Sequence, residues 1–405
     1  MRLALINQFY LPDLSPTAHL AASLAEHRAA LGDQVTVIAG SGIYAAGPHG
    51  EKGTRSGNPS QVRLWTPSLG KRSIPRRLVD YGVFYVQAAW ALANLPAQDV
   101  IIAMTTPPYV ALAALLHKVL HPRTRLVLWS MDCYPETIER AGLIRRGGLA
   151  SQILRSVNVR LFRKLEAVVC LDLAMREMLQ TAYARPGKPA FAVIPNWENA
   201  AFFPVGTTGE TTPAIEALDL RGRTVVLYLG NAGAGHRFET VLEAAQRLDA
   251  SCFTFLFIGG GSGWAGLEEA HRRKRTANVL LRGYVPKEST PAVLSVADAA
   301  LITLRDEMLG VMSPSKLHAA LAMGVPIVYV GPAGGNVHEA IERFGCGVSL
   351  RHGDVDGLVG FLERLRAQPA LRAELSARAR AAFEAAYSDH AGLARFDALL
   401  DGPPD

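Results

Sequence analysis

Two stretches of the chain hold residue types suited to chemistry on phosphate. Ser313-Pro314-Ser315-Lys316 precedes an apolar helix pattern, punctuated by Gly324 and Pro326 and followed by the strand-like run Ile327-Val328-Tyr329-Val330. At such a loop-to-helix junction the free backbone N–H groups, the Ser315 hydroxyl and the Lys316 ammonium converge on one small volume, which suits a phosphate. The same residues also fit a plain helix start, with Ser313 as N-cap and Pro314 at the first helical position. The second stretch, Gly230-Asn231-Ala232-Gly233-Ala234-Gly235-His236, lies between an apolar run and a helix pattern over residues 238–248. Its glycines let backbone N–H groups approach a diphosphate closely. It is neither G-x-G-x-x-G nor a P-loop, and Gly259-Gly260-Gly261 fits neither pattern. One Gly-rich turn is weak evidence, but two phosphate-suited loops on one edge of one half point to a nucleotide ligand.

These loops need a scaffold, and the apolar runs supply it. Residues 3–7 and 35–39 flank a helix pattern ending near Gly32, so the chain opens with a βαβ unit. Residues 99–103, 125–129, 167–171 and 192–196 continue the alternation, and residues 47–59, rich in Gly, Pro and charge, read as a surface excursion. Periodicity is lost between about residues 201 and 222, an interdomain linker. It resumes with strands over residues 224–229, 253–258, 279–281, 299–303 and 327–330. The expectation is α/β, with two doubly wound Rossmann-like domains facing across a cleft: residues 1–200, a linker over 201–222, residues 223–378, and a C-terminal helix over 379–405 returning to the first domain. Ligands of such sheets bind beyond the carboxyl ends of the strands.

With 405 residues there is room for two cores, and 49% hydrophobic against 19% charged residues is a globular composition. The net charge of +6 is unevenly spread. Up to residue 200 there are 22 Lys and Arg against 13 Asp and Glu, and beyond it 20 against 23. The basic first half points to an anionic partner. Cys133, Cys170, Cys252 and Cys346 are far apart and form no C-x-x-C pair, as free thiols of a reducing compartment would be. The opening residues read as a first strand and not a signal peptide, which places the chain in the cytoplasm.

Tyr228-Leu229-Gly230-Asn231, Phe257-Ile258-Gly259-Gly260-Gly261, Leu281-Arg282-Gly283-Tyr284-Val285-Pro286 and Met312-Ser313-Pro314-Ser315-Lys316-Leu317 resemble the C-terminal half of GT-B glycosyltransferases. More narrowly, they resemble the mostly retaining group that includes colanic-acid and O-antigen fucosamine transferases of glycoconjugate biosynthesis. Asn7-Gln8-Phe9-Tyr10-Leu11-Pro12-Asp13, Thr105-Thr106-Pro107-Pro108, the loop from Trp129 to Glu136 and Ile194-Pro195-Asn196-Trp197 are similar to the first half of that group. The resemblance implies transfer of a hexosyl or N-acetylaminosugar group from a nucleoside diphosphate sugar, a UDP-sugar as first choice, to a lipid-linked or small-molecule acceptor. No metal is needed, because backbone and Lys316 meet the phosphates and there is no D-x-D cluster positioned for one; nucleic acid is not a partner.

Carried over by residue, the resemblance gives Lys316, with Ser315 and Leu317 at the helix start, the donor diphosphate and the departing charge. Gly230, Asn231 and Gly233 approach the diphosphate or sugar, and Arg282, Tyr284 and Val285 form the base loop, although Tyr284 also fits a core aromatic. Glu307 takes the acidic position near the sugar. Asp132, beside Met131 where relatives carry a His, contacts the reacting sugar or acceptor, or else caps a helix. A carboxylate that relatives use on the ribose is replaced by Ala319, and their first-loop Arg and Lys by Asn231 and His236. These departures keep a GT-B epimerase or hydrolase, or a non-catalytic partner subunit, in view. Finally, Lys71, Arg72, Arg76 and Arg77 precede an aromatic-rich helix pattern to Leu92, too short in uninterrupted apolar residues to span a bilayer. Residues 71–92 fit either a peripheral contact with the inner membrane face or a core helix with a basic start.

Overall fold

The computed structural model describes residues 1–13, 15–41, 53–55, 57–67, 74–203, 218, 220–274 and 276–402. The chain divides into two compact units: Met1–Leu171 with Met175–Ile194 and the chain from Leu393 on, and Asp172–Ala174 with Pro195–Gly392. Most of the sequence-expected linker, residues 204–217 and 219, lies outside the described residues.

The first unit is built on β1 (Arg2–Ile6), α1 (Pro16–Ala30), β2 (Gln34–Gly40), β3 (Gly53–Arg55), β4 (Ser60–Leu64), α2 (Ile74–Ala93), β5 (Val100–Ala103), α3 (Ala113–Leu120), β6 (Arg125–Trp129), α4 (Glu136–Arg140), α5 (Leu149–Phe162), β7 (Ala167–Cys170), α6 (Leu173–Tyr183) and β8 (Ala190–Val193). Its sheet runs β3-β4-β2-β1-β5-β6-β7-β8, parallel except for β3 against β4. Central strands are apolar throughout because helices cover both faces, so Leu3 to Ile6 and Ile101 to Ala103 are fully buried. The sequence reading leaves β4 out and takes β3 into the surface excursion. β4 sits toward the sheet edge, is half-buried over its first four residues and alternates polar Gln61 and Arg63 with Val62 and Leu64, so it lacks the apolar run of a central strand.

Helix α2 is apolar on two sides. Phe84, Ala88 and Leu92 are buried, while Leu78, Val79, Val86 and Trp90 are more than half exposed. Neighbouring α3 packs against α2, with His117 Nδ1 2.7 Å from the Leu92 carbonyl oxygen, and itself exposes Leu116, Val119 and Leu120. Of the basic residues expected ahead of this helix, Arg76 and Arg77 fall in its first turn, and Arg76 is exposed; Lys71 and Arg72 lie outside the described residues, as does the side chain of Arg77.

In the second unit, β9 (Thr224–Asn231), β10 (Phe253–Gly260), β11 (Val279–Arg282), β12 (Ala299–Thr303), β13 (Ile327–Val330) and β14 (Gly347–Leu350) form an all-parallel sheet in the order β11-β10-β9-β12-β13-β14. Counted from its own first strand this is the 3-2-1-4-5-6 order of a dinucleotide-binding sheet. Tyr228, Phe238, Phe255 and Phe257 anchor its core. The helix Pro369–Ala382 passes through one wide turn, Phe383–Tyr387, into the helix Asp389–Asp401. The end of that last helix belongs to the first unit. Phe396 packs on Trp129 at 4.6 Å, and Asp397 and Asp401 pair with Arg28 of α1 at 2.9 and 2.7 Å.

Candidate active site

In a 3-2-1-4-5-6 sheet the chain leaves β9 and β12, neighbours in space, toward opposite sides, and the crevice beyond their carboxyl ends is where a ligand fits. The loop after β9 carries Asn231 and His236. Gly230 enters it with a φ of 116°, a left-handed conformation that favours glycine. Lys316, first residue of the helix Lys316–Ala322, reaches this loop. Its Nζ donates to the Asn231 carbonyl oxygen at 2.9 Å, stands 3.3 Å from His236 Nε2, and lies 4.8 Å above the Tyr228 ring. The Tyr228 hydroxyl donates to the same Asn231 carbonyl oxygen at 2.8 Å.

The protonation states follow from the partners. His236 Nδ1 is 2.7 Å from the Thr303 carbonyl oxygen, an acceptor only, so Nδ1 carries the proton and Nε2 accepts from Lys316. Burial, and then the Lys316 charge, lower His236 to about 4, against the hydrogen bond to Thr303, and the imidazole is neutral. Burial lowers Lys316 to about 8. An ammonium has three protons: Asn231 and His236 take two, and one remains for a ligand.

The loop holding His236 is fixed from the β12 side. Arg305 N donates to the Gly235 carbonyl oxygen at 2.8 Å, and Arg305 Nε to that of His236 at 3.2 Å. This anchors the short turn Asp306–Met308, on which Glu307 is exposed.

At the helix start, Ser315 and not Ser313 occupies the cap position, and no side chain caps the helix. The Leu317 N–H and Asn336 Nδ2 both turn to the Pro314 carbonyl oxygen, which sets the start of the helix one residue after Ser315. Ser315 is exposed, and neither its backbone N–H nor that of Lys316 meets a hydrogen-bond acceptor among the described residues. Leu317 is fully buried, so only its backbone faces the loop. Ala319, two residues on, is half-buried.

Tyr284 is 65% exposed and so is not a core aromatic. Its hydroxyl is 3.4 Å from Asn231 Oδ1, and its ring edge lies so near Gly260 that a Cβ there would sit 2.8 Å away. Gly233 lies beside the Asn231 side chain, where a Cβ would be 3.3 Å from Nδ2. Val285 is half-buried, and Arg282 is exposed with Nη1 on the Leu281 carbonyl oxygen at 2.9 Å. Lys316, Asn231, Gly230, Gly233 and Tyr284 thus come together at one edge of the sheet; Arg282 and Glu307 flank it on neighbouring loops.

Asp132 belongs to the first unit, in the loop after β6. The Thr105 hydroxyl accepts from the N–H groups of both Met131 and Asp132, at 3.0 and 2.9 Å, and holds that loop to the end of β5. The carboxyl does not cap a helix, since α4 starts at Glu136 with Pro135 before it. Burial raises its pKa above the ordinary carboxylate value.

Tyr228 and the contact of His236 with Lys316 go unread in the sequence. An aromatic ending a strand run looks like core, and only its closeness to a lysine far along the chain marks it. At the opposite edge of the same sheet a cavity of about 630 Å³ is lined by Arg223, Asp249, Asp298, Arg366 and Arg372. Its arginines already serve the fold: Arg366 donates to the Gly222 and Cys252 carbonyl oxygens, and Arg372 pairs with Asp298.

Comparison with known proteins agrees with this geometry. Residues 17–197 match the family described as "Glycosyl transferase 4-like domain", and residues 223–368 match "Glycosyl transferases group 1". The chain is 25% identical over 336 residues to glycosyltransferase WbjE of Pseudomonas aeruginosa, covering 81% of this chain and 82% of that one. It is 26% identical over 374 residues to the colanic acid biosynthesis glycosyl transferase WcaI of Escherichia coli K12, covering 89% and 90%. Among solved structures, sucrose-phosphate synthase of Thermosynechococcus elongatus aligns with a TM-score of 0.74 at 15% identity, covering 99% and 98%. Anabaena HepE, in complex with UDP and glucose, aligns at 0.71 and 14% identity, covering 99% of each chain. With two such sequence families spanning the greater part of its length and a pair of Rossmann-like sheets beneath them, the chain belongs to the GT-B glycosyltransferases.

Proposed function

We propose that the donor is a nucleoside diphosphate sugar, with a UDP-sugar first among them, and that a hexosyl or N-acetylaminosugar group passes to a lipid-linked or small-molecule acceptor. The observation that carries this is the third, uncommitted proton of Lys316 beside the open N–H groups of Ser315 and Lys316. A leaving nucleoside diphosphate gains negative charge in the transition state, and fixed donors of this kind stabilise it with no reorganisation. They meet the charge without a metal. Gly230, Asn231 and Gly233 border the diphosphate and sugar, Arg282, Tyr284 and Val285 the base, and Glu307 the sugar. Asp132, on the other unit, meets the reacting sugar or the acceptor. The solved relative HepE holds UDP and UDP-glucose, which supports uridine as the first base to test.

The exposed apolar face of α2 and α3 and the basic excess of residues 1–200 support a peripheral site of action on the inner membrane face, where a lipid-linked acceptor is presented. Four free cysteines fit a reducing cytoplasm.

The test is incubation with UDP-, GDP-, ADP-, CDP- and dTDP-sugars while free nucleoside diphosphate is measured, with and without polyprenyl-phosphate-linked and free-sugar acceptors. Release that depends on acceptor supports transfer. Release without acceptor makes the protein a hydrolase, and tight binding with no release under any condition makes it a non-catalytic partner.

A further inference from the structure

His236 makes two contacts that do different things. Nδ1–H is spent on the Thr303 carbonyl oxygen at 2.7 Å, which fixes the ring, and Nε2 faces Lys316 Nζ at 3.3 Å. The ring is 8% exposed and is held edge-on by Tyr228, their centroids 5.7 Å apart. Its backbone is pinned as well, through the Arg305 contacts to the carbonyl oxygens of Gly235 and His236. A lysine side chain otherwise turns freely about four carbon–carbon bonds. With Nζ held between Asn231 O and His236 Nε2, over the Tyr228 ring, the direction of its remaining proton is set before any ligand arrives.

We propose that His236 is a positioning residue for the sugar-transfer reaction, acting through Nε2 as a hydrogen-bond acceptor that aims the third proton of Lys316 at the leaving diphosphate. This rests on the donor reading given above. A cationic residue at 236 would add attraction for phosphate and repel Lys316; a neutral acceptor adds no charge and supplies direction. His236 therefore does not replace the arginine or lysine found there in similar enzymes. It leaves Lys316 as the cation that meets both Asn231 and His236 and makes that cation's geometry matter more.

The side-chain chemistry gives a discriminating test. In a glutamine the terminal amide reaches the place of Nε2, so His236→Gln keeps an acceptor for Lys316 and gives up the Thr303 contact. In an asparagine the amide lies where Nδ1 lies, so His236→Asn keeps the Thr303 contact and loses Lys316. All variants are made in the full chain. Their affinity for the nucleoside diphosphate that wild type binds best among UDP, GDP, ADP, CDP and dTDP is measured by calorimetry, and kcat and KM with the matching nucleotide sugar.

Positioning predicts that His236→Asn and His236→Ala lower kcat by ten-fold or more with KM changed less than three-fold, while His236→Gln stays within about five-fold of wild type. The reverse order, with Asn near wild type and Gln impaired, overturns the proposal and makes the Thr303 contact the one that matters. Equal loss in all three variants, with a matching fall in melting temperature, also overturns it. Lys316→Ala run alongside separates the two levels: if it leaves diphosphate affinity and turnover intact, the donor reading itself fails and this inference with it.

Discussion

The ammonium of Lys316 donates to the carbonyl oxygen of Asn231 at 2.9 Å, tying the first residue of a helix to the end of a strand 85 positions earlier in the chain. Lys316→Ala removes the one ammonium of the loop pair and leaves the Asn231 carbonyl oxygen with its Tyr228 donor. Turnover falls about 10²–10³-fold, the usual cost of losing one preorganised donor to a developing anion. The melting temperature stays within a few degrees, because the carbonyl oxygen that Lys316 serves keeps its Tyr228 donor. Loss of activity and of stability in proportion would make Lys316 structural.

Lys316 also sets an alkaline limit. Burial lowers its pKa from 10.5 to about 8, so the charge proposed to meet the diphosphate is present below that pH and is lost as pH rises through it. The rate constant kcat/KM for donor is flat below about pH 8 and drops about ten-fold per unit above. A bound diphosphate favours the cation, so the limb in kcat lies higher. In Lys316→Arg the residual activity shows no such limb, since a guanidinium keeps its proton. A limb unchanged in that variant would assign it to another group.

The resemblance to GT-B glycosyltransferases implies that Ala319 takes the place of a carboxylate for the two ribose hydroxyls. Without that contact, worth roughly 1.5–3 kcal/mol for hydrogen bonds to a charged group, ribo and deoxyribo diphosphates bind within ten-fold of each other by calorimetric titration. Ala319→Glu tightens only the ribo form. A ten-fold or larger preference in the unaltered protein would show that another residue serves the ribose.

The outer face of α2 and α3 gives a membrane prediction. Val86 and Trp90 on α2 are each 72% exposed, and Val119 on α3 is 75% exposed. Binding to anionic vesicles weakens with salt, and each of Lys71, Arg72, Arg76 and Arg77 contributes about 1 kcal/mol at low ionic strength. Trp90→Asp with Val86→Asp lowers vesicle binding more than ten-fold while turnover on a water-soluble acceptor is kept. Sedimentation no greater with anionic than with neutral vesicles would favour a soluble acceptor.

Arg28 is 3% exposed and pairs with Asp33, Asp397 and Asp401. Asp33 keeps the N-terminal ammonium and Asp397 keeps His27 when Arg28 is removed, so Arg28→Ala costs about 3 kcal/mol in urea unfolding of the first unit, the low end for breaking a buried ion pair. Asp401→Asn costs far less because that carboxylate is half exposed. A loss under 1 kcal/mol for Arg28→Ala would show that the C-terminal helix docks through Phe396 on Trp129 instead.

The strands of both units were legible because a parallel strand covered on both faces must be an apolar run, and residues 224–229 or 327–330 can hardly be anything else. The phosphate-suited loops were legible for a similar local reason: glycines and a serine–proline–serine–lysine turn advertise free N–H groups wherever they occur. What spacing could not report was which residues meet across the sheet. His236 and Lys316 are 80 positions apart, and they touch only because β9 and β12 are neighbours, an order fixed by long-range pairing. The helix start moved from Ser313 to Ser315 because the Pro314 carbonyl oxygen takes donors from Leu317 and from distant Asn336. The pattern of α2 likewise offered two apolar sides. Only the packing of the first unit chose Phe84, Ala88 and Leu92 for the interior and left Val86 and Trp90 outside, since burial is a property of what lies opposite a side chain and not of the side chain alone.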